Sequence, residues 1–519
     1  MNKRAFAGLF FLTFIAALIF RIQGLGLRPM HHDEANQALK FGALLEQGEY
    51  RYDKEDHHGP SLYYLSLPFA RIFGAKTLAM LTEKSLRLVP GFFGVGTILL
   101  LLLLTPALGR GAVFWSALGF ALSPGVVYFS RFYIQETLLV FFLVGFIAFL
   151  WRYLLKPSWG WALGAGFFAG MMYATKETSV IAFGAIAAGL ILTLVLPGSR
   201  IAHETPRPRP RPAHLLLGLA AALLPALVLF TSFFQNSRGF LDSLLTFKVY
   251  FVRAGEGGFH VHPWSYYFQI LAFSGGAARL FGSEAFILVL AVVGIIAAFR
   301  SKPTKQAQSS FLKFVFFYTA ASTIIYTFIP YKTPWNLLPF YSGFILLAGG
   351  GAAFMIEASP KRFGRSLVLL LLGAGFLNLT VESYRANFLF PADPKNPYVF
   401  AQTSPDFLNL VRRVEDLASC VAEGKQTLIK VIASPYETWP LPWYLRTFGR
   451  VGYWQSAEEA GEIDTPPLII SSAEEAAKLE SSLKDTYRSE YYGLRPQVFL
   501  VLHVRSDLWE KFLESLTHE

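Results

Sequence analysis

The sequence predicts an α-helical polytopic membrane protein, with about eleven transmembrane helices and a small extracytoplasmic α/β domain at its C-terminal end. Three observations predict it. The 519 residues are 53% apolar and only 16% charged, with a mean hydropathy of +0.41, whereas a soluble chain is about one-quarter charged. Long apolar runs recur through residues 1–392. From 393 to 519 they give way to short strand and helix patterns. The composition excludes a disordered chain, a fibrous protein and an ordinary cytosolic enzyme.

The runs fall near 5–23, 84–104, 111–129, 136–155, 158–174, 177–196, 213–234, 283–300, 312–330, 334–356 and 365–385. The first follows Asn2, Lys3 and Arg4 and lacks a small-residue cleavage site, so it reads as an uncleaved span. Cations collect on alternate connections: Arg110; Arg152 and Lys156; four arginines within 200–211; Arg300, Lys302, Lys305 and Lys313; Lys361, Arg362 and Arg365. The short intervening turns hold one each, Arg131, Lys176 and Lys332. The positive-inside rule therefore puts the N-terminus in the cytoplasm and the C-terminal tail outside an inner (plasma) membrane. The net charge of +11 marks topology, with no continuous basic face for nucleic acid. The single cysteine, Cys420, allows no intramolecular disulfide and no cysteine metal cluster.

Residues 203–212 alternate proline with arginine and read as a polyproline-like cytoplasmic connector. Two outer loops are long. The first, 24–83, carries short helices at 34–46 and 61–73; the second, 235–282, has glycines beside histidines at 255–264 and reads as mobile. In the tail, helices are expected at 405–418, 472–483 and 507–516 and strands at 427–433, 467–470 and 498–503. The aromatic stretch 435–444 suits packing on the membrane domain more than sugar binding.

Polar residues gather on the outer side. The first loop supplies His31, His32, Asp33 and Glu34, then Asp56, His57 and His58. Short turns add Arg131, Gln135 and Glu136, then Lys176 and Glu177, then Lys332; the second long loop adds His260 and His262. Ionisable groups at a membrane boundary are costly and tend to face a cavity, so their shared sidedness points to one site. Carboxylates there suit a general base, and dispersed cations suit a phosphate. That is the chemistry of transfer from a lipid-linked phosphate donor entering sideways from the bilayer. Each group also has a plainer reading: Asp33 and Glu34 as a helix N-terminal pair, Lys176 and Glu177 as an ion pair, Arg131 and Lys332 as interfacial anchors. Histidines beside carboxylates leave a divalent metal open, although no metal-binding spacing is diagnostic.

An acidic pair after the first span, followed by a long outer loop with membrane-lying helices, resembles the GT-C glycosyltransferases. That superfamily includes the protein O-mannosyltransferases and the aminoarabinose transferases. Met30–Gln37, Asp56–Tyr64, Tyr331–Asn336 and Asn396–Pro405 resemble a flippase-activity-associated, mannosyltransferase-like branch. The resemblance implies inverting transfer of mannose or another hexose from a polyprenyl-phosphate donor to a hydroxyl on a glycan, lipid or protein of the cell envelope. It implies Asp33 as general base, Glu34 as its positioning partner and the His57–Pro60 segment near the donor. Glu136 departs from the second acidic motif of the protein mannosyltransferases. Arg131 and Lys332, with Lys176, are expected at the donor phosphate, and the loop bearing His260 and His262 is expected to close over it. The competing reading is a lipid-linked oligosaccharide flippase, or its accessory, without transferase activity; the mostly clean spans weigh against it.

Overall fold

The computed structural model describes residues 1–55, 58–196, 211–255, 260–272, 284–300, 306–359, 361–461, 465–483 and 486–517. The 203–210 part of the proline–arginine connector, Asp56 and His57 lie outside them.

Every expected span has a helical counterpart, as it must where hydrocarbon offers the backbone no partner. These are α1 (Lys3–Ile22), α4 (Glu83–Leu100), α5 (Thr105–Leu122), α7 (Glu136–Leu155), α8 (Trp159–Tyr173), α9 (Ser179–Val195), α10 (Pro212–Phe230), α13 (Ala285–Arg300), α14 (Gln306–Phe328), α15 (Leu338–Ala358) and α16 (Arg362–Tyr384). Among the described residues, seven helical stretches are long and apolar enough to cross a membrane; one is the 40-residue stretch Glu83–Leu122 that holds both α4 and α5. Apolar α9 and α13 are shorter. The expected third span, 111–129, is divided. Helix α5 stops at Ser123, whose hydroxyl accepts the Val126 amide (3.2 Å), and Pro124 opens a short α6 (Pro124–Ser130). Small residues let the helices meet: a Cβ on Gly166 of α8 would strike the carbonyl of Gly218 on α10.

The first long connection folds as read, with α2 (His32–Gln47) and α3 (Ser61–Ile72). The second differs. It holds the 17-residue α11 (Gly239–Gly255), which glycine counting misses, and α12 (Tyr266–Ala272).

In the tail, α17 (Phe407–Ser419) precedes a five-stranded mixed sheet, order β2-β1-β3-β5-β4. The strands are β1 (Ile429–Ile432), β2 (Val451–Trp454), β3 (Leu468–Ser472), β4 (Tyr487–Arg495) and β5 (Val498–Arg505). Strands β2 and β4 escape the sequence reading, being edge strands with partly exposed, polar-interrupted patterns. Short helices α18 (Pro435–Thr438), α19 (Leu441–Tyr444) and α20 (Ala457–Ala460) lie between strands; α21 (Ala473–Leu483) and α22 (Ser506–Thr517) complete the domain. Alternation along β3 sends Leu468 and Ile470 into the core shared with α17 and α22, and Ile469 into the core shared with α21.

The aromatic 435–444 stretch packs as expected. The Trp443 indole donates to Glu83 (2.9 Å), the Tyr444 hydroxyl accepts the Met30 amide (2.9 Å), and Arg446 donates to the Leu81 carbonyl (2.7 Å). A strap ahead of α17 also grips residues 29 and 30: Gln402 donates to the Pro29 carbonyl (3.0 Å) and Thr403 to that of Met30 (2.8 Å).

Candidate active site

The site begins where α2 starts. His31 is the N-cap, its Nδ1 accepting the Asp33 amide (3.0 Å), and Glu34 at the third helical position accepts the His31 amide (3.1 Å). This capping box fixes the directions of the two neighbouring carboxylates. Their environments then diverge. Glu34 is fully buried and gripped by Arg87 of α4, Nε to Oε1 at 2.7 Å and Nη2 to Oε2 at 2.6 Å. The Tyr133 amide adds a bond (2.9 Å) and Arg28 stands at 3.7 Å. Burial alone would raise its pKa; the charges of Arg87 and Arg28 and these hydrogen bonds outweigh it and hold the carboxyl near 2. Asp33, by contrast, keeps 40% of its side chain exposed, with His31 Nδ1 3.7 Å from Oδ2. One carboxylate is locked into the scaffold and the other is left free to act.

Arg87, like Arg21, is a buried cation inside a run read as clean. A lone arginine in an apolar span was the available signal for both. Arg21 donates to the carbonyls of Phe120 (2.6 Å) and Ala121 (3.3 Å), pinning α1 to α5. Arg131, expected at the donor phosphate, closes the end of α1 in this structure. It donates to the carbonyls of Phe20 (2.9 Å), Gln23 (2.6 Å) and Gly24 (2.9 Å) and lies over the Phe388 ring.

The structure does bring Lys332, His260 and His262 together. A β-bridge joins Val261 to Tyr331; the Lys332 amide donates to the His260 carbonyl (2.9 Å) and the His262 amide to that of Pro330 (3.2 Å). The Lys332 ammonium donates to the carbonyls of Ile329 (2.6 Å) and His262 (3.0 Å), and burial lowers its pKa. Burial lowers both histidines too; the charge of Asp33 opposes it at His260, while His260 and Lys332 add to it at His262. Among the described residues, His260 Nδ1 and His262 Nε2 are buried without a hydrogen-bond partner. These two nitrogens lack a partner, and the Asp33 carboxylate is part-exposed.

Lys176 and Glu177 are not paired with each other. Lys176 forms a close ion pair with Glu136 of α7, and Glu177 bonds His58 Nδ1 (3.0 Å). Beside His58, Gly59 has no room for a side chain: a Cβ would strike the Ala174 carbonyl, and Ser61 bonds both that carbonyl (2.9 Å) and the Thr175 hydroxyl (2.7 Å). Among the described residues no three His, Cys, Asp or Glu side chains converge as metal ligands. Both nitrogens of His31, the ring nearest Asp33, already have partners.

Residues 12–238, which carry the Asp33–Glu34 pair, Arg131, Glu136, Lys176 and Glu177, match the family model for dolichyl-phosphate-mannose-protein mannosyltransferases. Over its whole length the chain superposes on ArnT from Cupriavidus metallidurans, with TM-score 0.63, 15% identity and coverage of 97% of this chain and 99% of that one. The chain has the GT-C glycosyltransferase fold. ArnT bound to undecaprenyl phosphate is equally similar, with TM-score 0.62, 14% identity and coverage of 97% and 98%. The archaeal oligosaccharyltransferase AglB from Archaeoglobus fulgidus, in complex with an inhibitory peptide and a dolichol-phosphate, matches with TM-score 0.55 and 12% identity, covering 98% of this chain and 77% of that one. No curated protein sequence matches the chain. The fold is that of these membrane proteins, and the partial family match, over residues 12–238, is to a glycosyltransferase family.

Proposed function

We propose that this protein transfers a hexose, mannose being the first candidate, from a polyprenyl-phosphate donor to an acceptor hydroxyl on the extracytoplasmic side of the membrane. The observation that carries the reading is the division between the two carboxylates: Glu34 is saturated by Arg87, while Asp33 stays part-exposed, near the buried, unpartnered imidazole of His260. Asp33 takes the acceptor proton as the hydroxyl oxygen attacks the anomeric carbon from one face. The bond from that carbon to the phosphate oxygen breaks on the opposite face, so the configuration inverts and the lipid phosphate departs with the electron pair. Lys332, with His260 and His262 offering N–H groups, faces the charge that develops on the leaving phosphate. The partially matched mannosyltransferase family and the lipid phosphates bound by ArnT and AglB support a polyprenyl-phosphate donor.

The test is release of lipid phosphate from a radiolabelled polyprenyl-phosphate hexose by purified protein in liposomes, with cell-envelope extract as acceptor. Wild-type turnover that is lost in Asp33→Asn and persists with chelator is the expected result. Intact donor crossing the bilayer without turnover would overturn the reading in favour of a flippase.

A further inference from the structure

His31 does more than begin a helix. Its Nδ1 accepts the Asp33 amide, so its proton sits on Nε2, which donates to the Phe400 carbonyl (2.9 Å). Phe400 lies in the strap whose Gln402 and Thr403 hold Pro29 and Met30. The buried His31 ring packs against Phe132 (5.2 Å between centroids) and Trp335 (5.8 Å). The Phe400 ring in turn meets His260 (5.2 Å) and Trp335 (5.7 Å). One imidazole thus ties the backbone of the candidate base to a segment nearly 370 residues later, amid the donor-side groups.

We propose that His31 is a positioning residue for Asp33: held as the neutral Nε2–H tautomer by the strap, it fixes the carboxylate and leaves it unpaired. The inference rests on Asp33 being the general base. Its chemical content is the 3.7 Å gap between His31 Nδ1 and Asp33 Oδ2. With a lone pair on Nδ1 the carboxylate keeps its charge for the acceptor proton. Protonation of Nδ1 would put an imidazolium against the base and quench it. The charged and titratable groups around the ring are Asp33, His32 and Glu34 on its own helix, Arg28 across Phe132 (4.5 Å to that centroid), and His260 across Phe400. Trp335 contributes no charge. Burial and His32 disfavour the imidazolium, whereas Asp33, Glu34 and the Phe400 carbonyl favour it; the net direction is downward.

The test compares wild type, His31→Asn, the strap variant Gln402→Leu with Thr403→Val, and Asp33→Asn in the lipid-phosphate release assay across pH. Asparagine keeps a strong N-cap but cannot span to Phe400. The expected result for His31→Asn is unchanged melting temperature and donor KM with kcat lower by about tenfold or more, the scale of a small misplacement of a catalytic group. If His31→Asn does not fold, the strap variant should still lose kcat at unchanged KM. Wild-type kcat in the folded His31→Asn protein, or wild-type kcat in the strap variant, would overturn the proposal. Turnover surviving in Asp33→Asn would instead remove the base assignment itself, so the two failures are distinguishable.

Discussion

Asp33 and Glu34 are adjacent and chemically similar, yet the fold gives them opposite surroundings. Removing the Glu34 charge leaves Arg87 and Arg28 buried without their counter-ion. Breaking a buried pair in this way costs about 3–5 kcal/mol. Glu34→Gln is therefore expected to lower the melting temperature of the detergent-solubilised protein sharply, while Asp33→Asn melts as wild type and loses turnover. The pH dependence follows from the direction of the Glu34 shift. Its folded pKa of about 2 lies below the ordinary 4.5, so its stabilisation is complete above pH 4.5 and is lost as pH falls towards 2. Melting curves of wild type should fall through that window, and those of Glu34→Gln should not. The sequence displays the acidic pair plainly. It does not reveal which member is free, because Arg87 sits 53 residues further on, inside an apolar run.

Among the elements, the most consequential joint is Gly59 against the turn after α8. Gly59→Ala should push the loop off Ala174 at a cost of about 1–3 kcal/mol and separate His58 from Glu177. A raised donor KM in the release assay, with modest loss of stability, is the expected reading. In the tail, His503 of β5 is buried between the hydroxyls of Ser471 on β3 (2.9 Å) and Ser489 on β4 (2.8 Å). Burial depresses its pKa from 6.5 to about 4. The folded domain thus holds a neutral ring that the unfolded chain protonates. The sheet loses about 3 kcal/mol between pH 6.5 and 4, and His503→Asn should flatten that dependence. Amide-exchange protection factors on β3 and β5 across this range would check it. Apolar periodicity made β3 and β5 legible, whereas β2 and β4 carry too little of it, since an edge strand buries one face at most.

Across the whole molecule, the C-terminal sheet domain is fastened beside the start of α2 through Trp443, Tyr444 and Arg446 and through the strap. Trp443→Ala is expected to free this contact, seen as faster limited proteolysis within 390–406, and to reduce turnover without altering the spans. Unchanged proteolysis would mean that the strap alone holds the domain. The packing of 435–444 was readable because an aromatic, proline-rich stretch of that density needs a partner surface. Its seat next to residue 30 was not, since that contact joins positions some 414 apart.

Local pattern determined what the sequence could give by itself: the apolar runs that become helices and the mixed tail. These follow from hydropathy and periodicity over windows of about 20 residues. Tertiary structure alone decided the partners. It spent Arg131 on the end of α1, paired Lys176 with Glu136 and Glu177 with His58, set His260 and His262 beside Lys332, and tied His31 to Phe400. A buried charge must find its counter-charge or carbonyl wherever the packed helices bring one, and that depends on packing across the bundle rather than on spacing along the chain.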